Sequence, residues 1–297
     1  SYAYVNNDIK LLDYRIFEPV TIRFNDVTHF EGTRVYHRTL FMTIQKAVHD
    51  LFPGKSFKIP HSVSKGYYCE IEGMKDVTQE VVHRIKARVN DLISQDIPIV
   101  RRKVLAEEAR ELYKQQGYGD KVALLDTRPR LYVTLYWLAD MVGYFYGSLA
   151  PSTGFIHLFD LKPYYKGMYI GVPRRTDPSR LEDMIPQDMM FDIFKEYKEW
   201  VDVMGVSNIG SLNTSILGGE GSDLIKVAEA FHEKKLANIA DRIHYEHRND
   251  GVKIVLISGP SSSGKTTFAK RVGIQLRVHG LTPVMISLYE YFVYRDK

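Results

Sequence analysis

The chain has 297 residues, of which 44% are hydrophobic and 26% charged, and a formal net charge of +4. This composition excludes a disordered chain, and the charge is too small for a dedicated nucleic-acid binder. A lone cysteine, Cys69, excludes an intrachain disulfide and a Cys-rich zinc site, and fits a reducing cytoplasm.

No basic segment followed by an apolar one opens the chain, so no signal peptide is expected. Residues 131–150 form the one stretch apolar enough to suggest a membrane span. They carry Asp140 near the centre and many Tyr and Thr residues, which predicts a buried pair of strands and no membrane partner.

Taken in order, the first forty residues alternate as strands do, most clearly over Val20–Phe24, with turns expected at Asn6-Asn7 and Glu31-Gly32. Helical spacing runs from Val35 to Leu51 and stops at Pro53-Gly54. Strands are expected over Phe57–Pro60 and Gly66–Ile71. Thr78 then caps an amphipathic helix through Val82, Ile85 and Val89. A strand near Ile97–Val104, a helix over Ala106–Gln116 and Tyr- and Phe-rich strands to about Pro173 complete an α+β region. Arg174–Leu181 reads as a linker, followed by helices over about Gln187–Met204 and Gly221–His247.

The period changes once more at Lys253–Ile257, a continuous apolar run of the kind buried inside a parallel sheet. Next comes Gly259-Pro260-Ser261-Ser262-Ser263-Gly264-Lys265-Thr266-Thr267, a G-x4-G-K-T pattern known as a P-loop. The glycines let backbone N–H groups surround a phosphate, and the following helix adds its N-terminal dipole. Lys265 can reach the β- and γ-phosphates, and the Thr266 hydroxyl can ligate Mg²⁺, so ATP with Mg²⁺ is the expected cofactor. A helix to about His279 and a strand over Pro283–Leu288 would complete a βαβ unit.

Two resemblances follow from these residues. Ile257–Leu276 with Ile286-Ser287-Leu288 resembles the uridine kinase and phosphoribulokinase family. That resemblance implies transfer of the ATP γ-phosphoryl to a ribose 5′-hydroxyl, with uridine or cytidine as the nucleoside partner. The family's proton-accepting aspartate corresponds here to Tyr289. Glu290, one residue on, is the only nearby carboxylate and the candidate catalytic base beside Lys265. Too little chain follows the loop for a whole kinase domain, so the chain reads as the N-terminal portion of a longer kinase, inactive by itself.

The second resemblance covers about residues 2–173 and is to the editing domain of threonyl-tRNA synthetase. It is carried by Glu31–Thr39, Leu51-Phe52-Pro53, Lys65–Glu70, Thr78-Gln79-Glu80, Glu107–Glu111 and Lys121–Asp126. In the synthetases this domain removes mischarged serine with an H-x3-H pair and a later C-x3-H pair. The first pair falls here on Arg38 and Met42, with His37 one position off, and the later cysteine falls near Val142. The resemblance therefore implies a kept fold without the hydrolytic residues.

The expected domains are 1–33, a β-rich segment like the tail of a TGS domain; 34–173, editing-domain-like; 174–250, linker and helices; and 251–297, the first βαβ unit of a P-loop NTPase domain. The fold class is thus an α+β domain, a helical linker and the start of an α/β domain. The leading functional expectation is a cytoplasmic uridine kinase-like phosphotransferase. The alternatives are an ATP-binding regulator without kinase activity, or an RNA- or tRNA-binding protein working through its N-terminal domain. Arg101-Arg102-Lys103 and Arg174-Arg175 are short basic clusters for which solvated surface charge ranks ahead of RNA contact. The ten histidines lack zinc-ligand spacing. Whether the chain forms homo-oligomers is left open.

Overall fold

The computed structural model describes residues 2–10, 12 and 14–291, with Tyr289 and Glu290 described by their backbone alone. The chain divides into two units, Ser1–Thr214 and Ser215–Lys297.

The first unit is mixed α+β, as expected. It opens with three short strands, β1 (Tyr2–Val5), β2 (Asp8–Lys10) and β3 (Ile22–Asn25), in an antiparallel sheet ordered β2-β1-β3. The β1–β2 turn falls at Asn6 and Asn7, both at positive φ, the geometry that matches the twist of a tight hairpin. The helix α1 then runs from Phe30 to Leu51, five residues earlier than the apolar spacing predicts.

Around α1 the remaining elements form two sheets. β4 (Phe57–Val63), β5 (Gly66–Ile71), β9 (Asp160–Tyr164) and β10 (Gly167–Gly171) make an antiparallel sheet ordered β4-β5-β10-β9. One face of it packs on α1 and on α2 (Gln79–Ser94) through Leu40, Ile44, Val82, Ile85, Met168 and Ile170. Thr78 caps α2 by accepting the Val81 N–H, as its position predicts. The other face is covered by α5 (Asp188–Val203), whose Phe191 packs among Val63, Tyr68 and Tyr169.

The third sheet contains β6 (Ile99–Leu105), β7 (Tyr132–Leu138) and β8 (Met141–Gly143), in that order and antiparallel. Alternation along β7 divides its side chains between two cores. Tyr136 and Leu138 face α1 at Met42, while Val133 and Leu135 face α3 (Ala106–Gln115) at Ala109 and Tyr113. Two helices escaped the sequence reading, α4 (Gly119–Asp126) and α6 (Ile209–Leu217).

Residues 131–150 therefore contain the strand pair β7 and β8, followed by an irregular segment, and among the described residues no helix is long and apolar enough to cross a membrane. Asp140 sits at the β7–β8 turn, where the Lys46 ammonium lies 2.7 Å from its carboxylate. Lys46 is itself buried and also binds Asp50, which two Arg88 hydrogen bonds hold as well. Burial works to raise the Asp50 pKa, but the hydrogen bonds from Lys46 and Arg88 outweigh it and keep the carboxyl below its usual range.

The second unit contains α7 (Gly221–Asp250) and α8 (Lys265–Val278), packed through Leu236, Ala240, Val272 and Leu276. Gly251 ends α7 in the left-handed region. The strands expected over Lys253–Ile257 and Pro283–Leu288 are not formed, so the βαβ expectation is corrected. Residues 251–260 carry no regular structure, and Leu256 is 84% exposed. A strand needs at least one hydrogen-bonding neighbour, and in a parallel sheet cover on both faces, and no strand of the described residues pairs with this run.

Candidate functional site

The glycine-rich loop 259–264 turns tightly before α8. Ser263 N–H donates to Pro260 O at 3.3 Å, and Ser262 and Gly264 both have positive φ. Gly264 leads directly into the first turn of α8, where Lys265, Thr266 and Thr267 stand. The Lys265 ammonium folds back on its own loop, donating to Gly259 O at 3.0 Å and Pro260 O at 2.8 Å. These two carbonyls are the hydrogen-bond partners of the Lys265 ammonium. The side chain of Glu290, the expected base, lies outside the described residues.

In the first unit, α1 brings the carried-over positions to the third sheet. Met42 is fully buried against Tyr136, Leu138, Met141 and Leu149. A Cβ built on Gly143 of β8 would lie 3.5 Å from the Met42 methyl, so helix and strand are in close contact. Val142, one residue away, points to the opposite face, into the core with Tyr113 and Leu135. Positions 42 and 142 are thus on either side of β8, and both are apolar. One turn before Met42, Arg38 donates to Ser148 O at 3.3 Å, and its guanidinium fills the space beside Gly147.

His37 points elsewhere. Its Nδ1 lies 2.9 Å from the Tyr67 hydroxyl, between the rings of Phe41 and Tyr36, and Nε2 is buried with no partner. Burial, helped by the neighbouring Arg38 charge, lowers its pKa to about 4, so the imidazole is neutral at pH 7. Tyr67 was not legible as its partner, because thirty residues separate them and no motif links the two. Among the described residues no group of three His, Cys, Asp or Glu side chains could hold a metal. Cys69 is fully buried and its thiol is pushed well up by that burial, which leaves it unreactive.

A cavity of about 110 Å³ lies on another face of α1, lined by Val35, Tyr36, Thr39, Ala150 and His157 among others. Its hydroxyls are already engaged. Tyr36 donates to Leu158 O, and Thr39 donates to Val35 O and accepts from Ala150 N–H.

The basic triplet of β6 is exposed along its whole length, and each cation is set against an aromatic ring of β7. Arg101 stands directly opposite Tyr136 in the register, the Arg102 guanidinium carbon stands 5.5 Å from the Trp137 ring centre, and Lys103 Nζ stands 4.9 Å from that of Tyr132.

No family model matches the chain. Curated proteins do. The chain is 31% identical over 132 residues to a threonine–tRNA ligase of Rubrobacter xylanophilus, a match covering 44% of this chain and 20% of that protein. It is 29% identical over 151 residues to the threonine–tRNA ligase of Desulforamulus reducens, covering 50% and 24%. Against that of Symbiobacterium thermophilum it is 27% identical over 160 residues, covering 54% and 25%. The chain thus spans about a fifth to a quarter of the length of the curated relatives it matches. These relatives support an α+β region like the synthetase editing domain.

They also correct the leading functional expectation. The relatives are named for joining threonine to tRNA, so a uridine kinase-like phosphotransferase with a free nucleoside as partner is set aside, together with the kinase fusion. The tRNA-linked alternative fits these relatives better.

Proposed function

We propose that the chain is a tRNA-binding protein whose N-terminal unit recognises tRNA without hydrolysing an aminoacyl ester. The observation that carries this reading is the likeness to threonine–tRNA ligases over about half of the chain, combined with the residues at the carried-over positions. Ester hydrolysis there would need groups that bind water and move a proton. Met42 and Val142 can do neither, and both are buried in apolar cores. Arg38 in place of the first histidine keeps a permanent positive charge, suited to a phosphate or a terminal hydroxyl. The domains on this reading are those expected at 1–33, 34–173, 174–250 and 251–297, in a reducing cytoplasm that keeps Cys69 a thiol.

The test is retention of labelled threonine tRNA by the full chain across a salt series. Binding that weakens with salt, and weakens further in Arg38→Ala, supports the reading. No binding above that to a neutral polymer contradicts it.

The second unit carries a separate role on this reading. Residues 259–267 bind ATP, with Lys265 on the β- and γ-phosphates and Thr266 on Mg²⁺. The observation in favour is a left-handed Gly264 that opens α8 with its first N–H groups unclaimed by the helix. Lys265 would exchange its two loop carbonyls for phosphate oxygens. A charge-assisted hydrogen bond of about 1.5–3 kcal/mol makes Lys265→Ala weaken MgATP binding by roughly ten- to a hundredfold in calorimetry. Equal affinity in the variant would remove the loop from the account.

A further inference from the structure

We propose that β6 is a binding rail for a single, unpaired strand of RNA, with Arg101 and Lys103 on successive phosphates and Tyr132 of β7 beside them on the same face. The proposal rests on the tRNA reading and adds the place and the form of nucleic acid recognised there.

β6 is the outer strand of the β6-β7-β8 sheet, and its three central cations are all exposed. Charge on an edge strand can serve only to deter pairing with other strands, but three features go further. First, none of the three cations has a carboxylate within 4.0 Å among the described residues, although the chain holds 36 acidic side chains. Several cations of the same unit, such as Lys46, Lys86, Arg88 and Arg110, pair with acids; isolated exposed ones such as Lys75 and Lys114 do not, but only on β6 do three unpaired cations stand in consecutive positions of one strand among the described residues. An uncompensated row of cations is complementary to a polyanion.

Second, Arg101 and Lys103 share one face of the strand, two residues or about 6.8 Å apart, and Arg102 points to the other. The Arg101 and Lys103 charges therefore follow a line along one face rather than spread over a plate. A linear row tracks one backbone; a duplex presents two across a groove.

Third, rings stand beside the row. Tyr132 is 48% exposed and lies against Lys103 on the face of the row, while Trp137 lies against Arg102 on the opposite face. Cations that follow a backbone, interleaved with rings on which bases stack, are the common means of holding single strands.

Tyr136, paired with Arg101 across the sheet, donates its hydroxyl to Gly147 O, and the Arg38 guanidinium lies against the same Gly147.

The test uses the full chain and three labelled probes in fluorescence polarisation: threonine tRNA, a twelve-nucleotide single-stranded RNA, and the same RNA as a duplex. The variants are Arg101→Glu with Lys103→Glu, Tyr132→Leu, and a control with equal charge change, Lys75→Glu with Lys114→Glu, both exposed residues of the same unit. Circular dichroism confirms that each variant is folded.

Single-stranded RNA is expected to bind more tightly than the duplex. The β6 double variant is expected to lose about tenfold or more in affinity, and its log–log salt slope to fall by about 1.4, or 0.7 for each lost phosphate contact. Tyr132→Leu is expected to weaken binding several-fold without altering the slope. If tRNA binds but the β6 variant behaves like the control, the rail is wrong and the tRNA reading stands. If the oligonucleotide binds on β6 but tRNA does not, the tRNA reading fails alone. Tighter binding of the duplex, or equal displacement by polyglutamate, also overturns the rail.

Discussion

Burial and the adjoining Arg38 charge bring the His37 imidazole down to about 4, so the unfolded chain binds this proton more tightly than the folded one. The resulting stability is fully present above the unfolded value near 6.5 and is lost as the pH falls from there towards 4. A shift of that size corresponds to roughly 3 kcal/mol across the window. Urea unfolding at a series of pH values should show this loss in the native chain, and His37→Phe should flatten it between pH 6.5 and 4. An unchanged pH slope in the variant would mean that the imidazole is not held neutral. The same side chain illustrates a limit of sequence reasoning. His37 could be seen to lie one position off the editing pair, but nothing near it in sequence revealed that Tyr67 would receive it.

At the scale of elements, the start of α1 shows how a close approach overrides turn chemistry. Glu31-Gly32 reads as a turn, yet both residues lie in the first turns of the helix. The turn itself is made earlier, where Asp26 accepts from the Thr28 N–H at 2.9 Å and from its hydroxyl at 2.6 Å. Gly32 is needed because a Cβ there would lie 1.8 Å from Asp26 O. Gly32→Ala should therefore destabilise the unit by about 1–3 kcal/mol, the cost of forcing apart packed backbone, rather than stabilise a helix as alanine usually does. A melting temperature equal to or above that of the native chain would contradict the close approach.

Other elements were legible wherever local chemistry was strong. Thr78 and the 3.6-residue spacing after it gave α2, and the apolar run Gly66–Ile71 gave β5 with the right bounds. α4 and α6 were missed because they are short; α4 contributes no fully buried residue, and α6 only Gly210. The runs at 253–257 and 283–288 failed for the opposite reason. Their composition is that of buried strands, but a strand exists only with partners. Of the candidate site, the glycine-rich loop could be read from sequence because it is contiguous. The aromatic residues beside β6 could not be paired with their cations until the register Arg101↔Tyr136 was known.

For the whole molecule, the chain joins a unit of synthetase-like α+β structure to a second unit bearing a glycine-rich loop. On the proposed reading, the buried apolar Met42 and Val142 at two of the carried-over editing positions separate recognition of a tRNA from chemistry upon it. This separation is the central claim, and one experiment tests both halves. Threonine tRNA mischarged with labelled serine is incubated with the full chain, and the complex is recovered and assayed for the intact ester. The account predicts that the tRNA is retained in a salt-sensitive complex with its serine still attached, at the rate of loss seen in buffer. Release of serine faster than in buffer, or no retained tRNA at low salt, would contradict it.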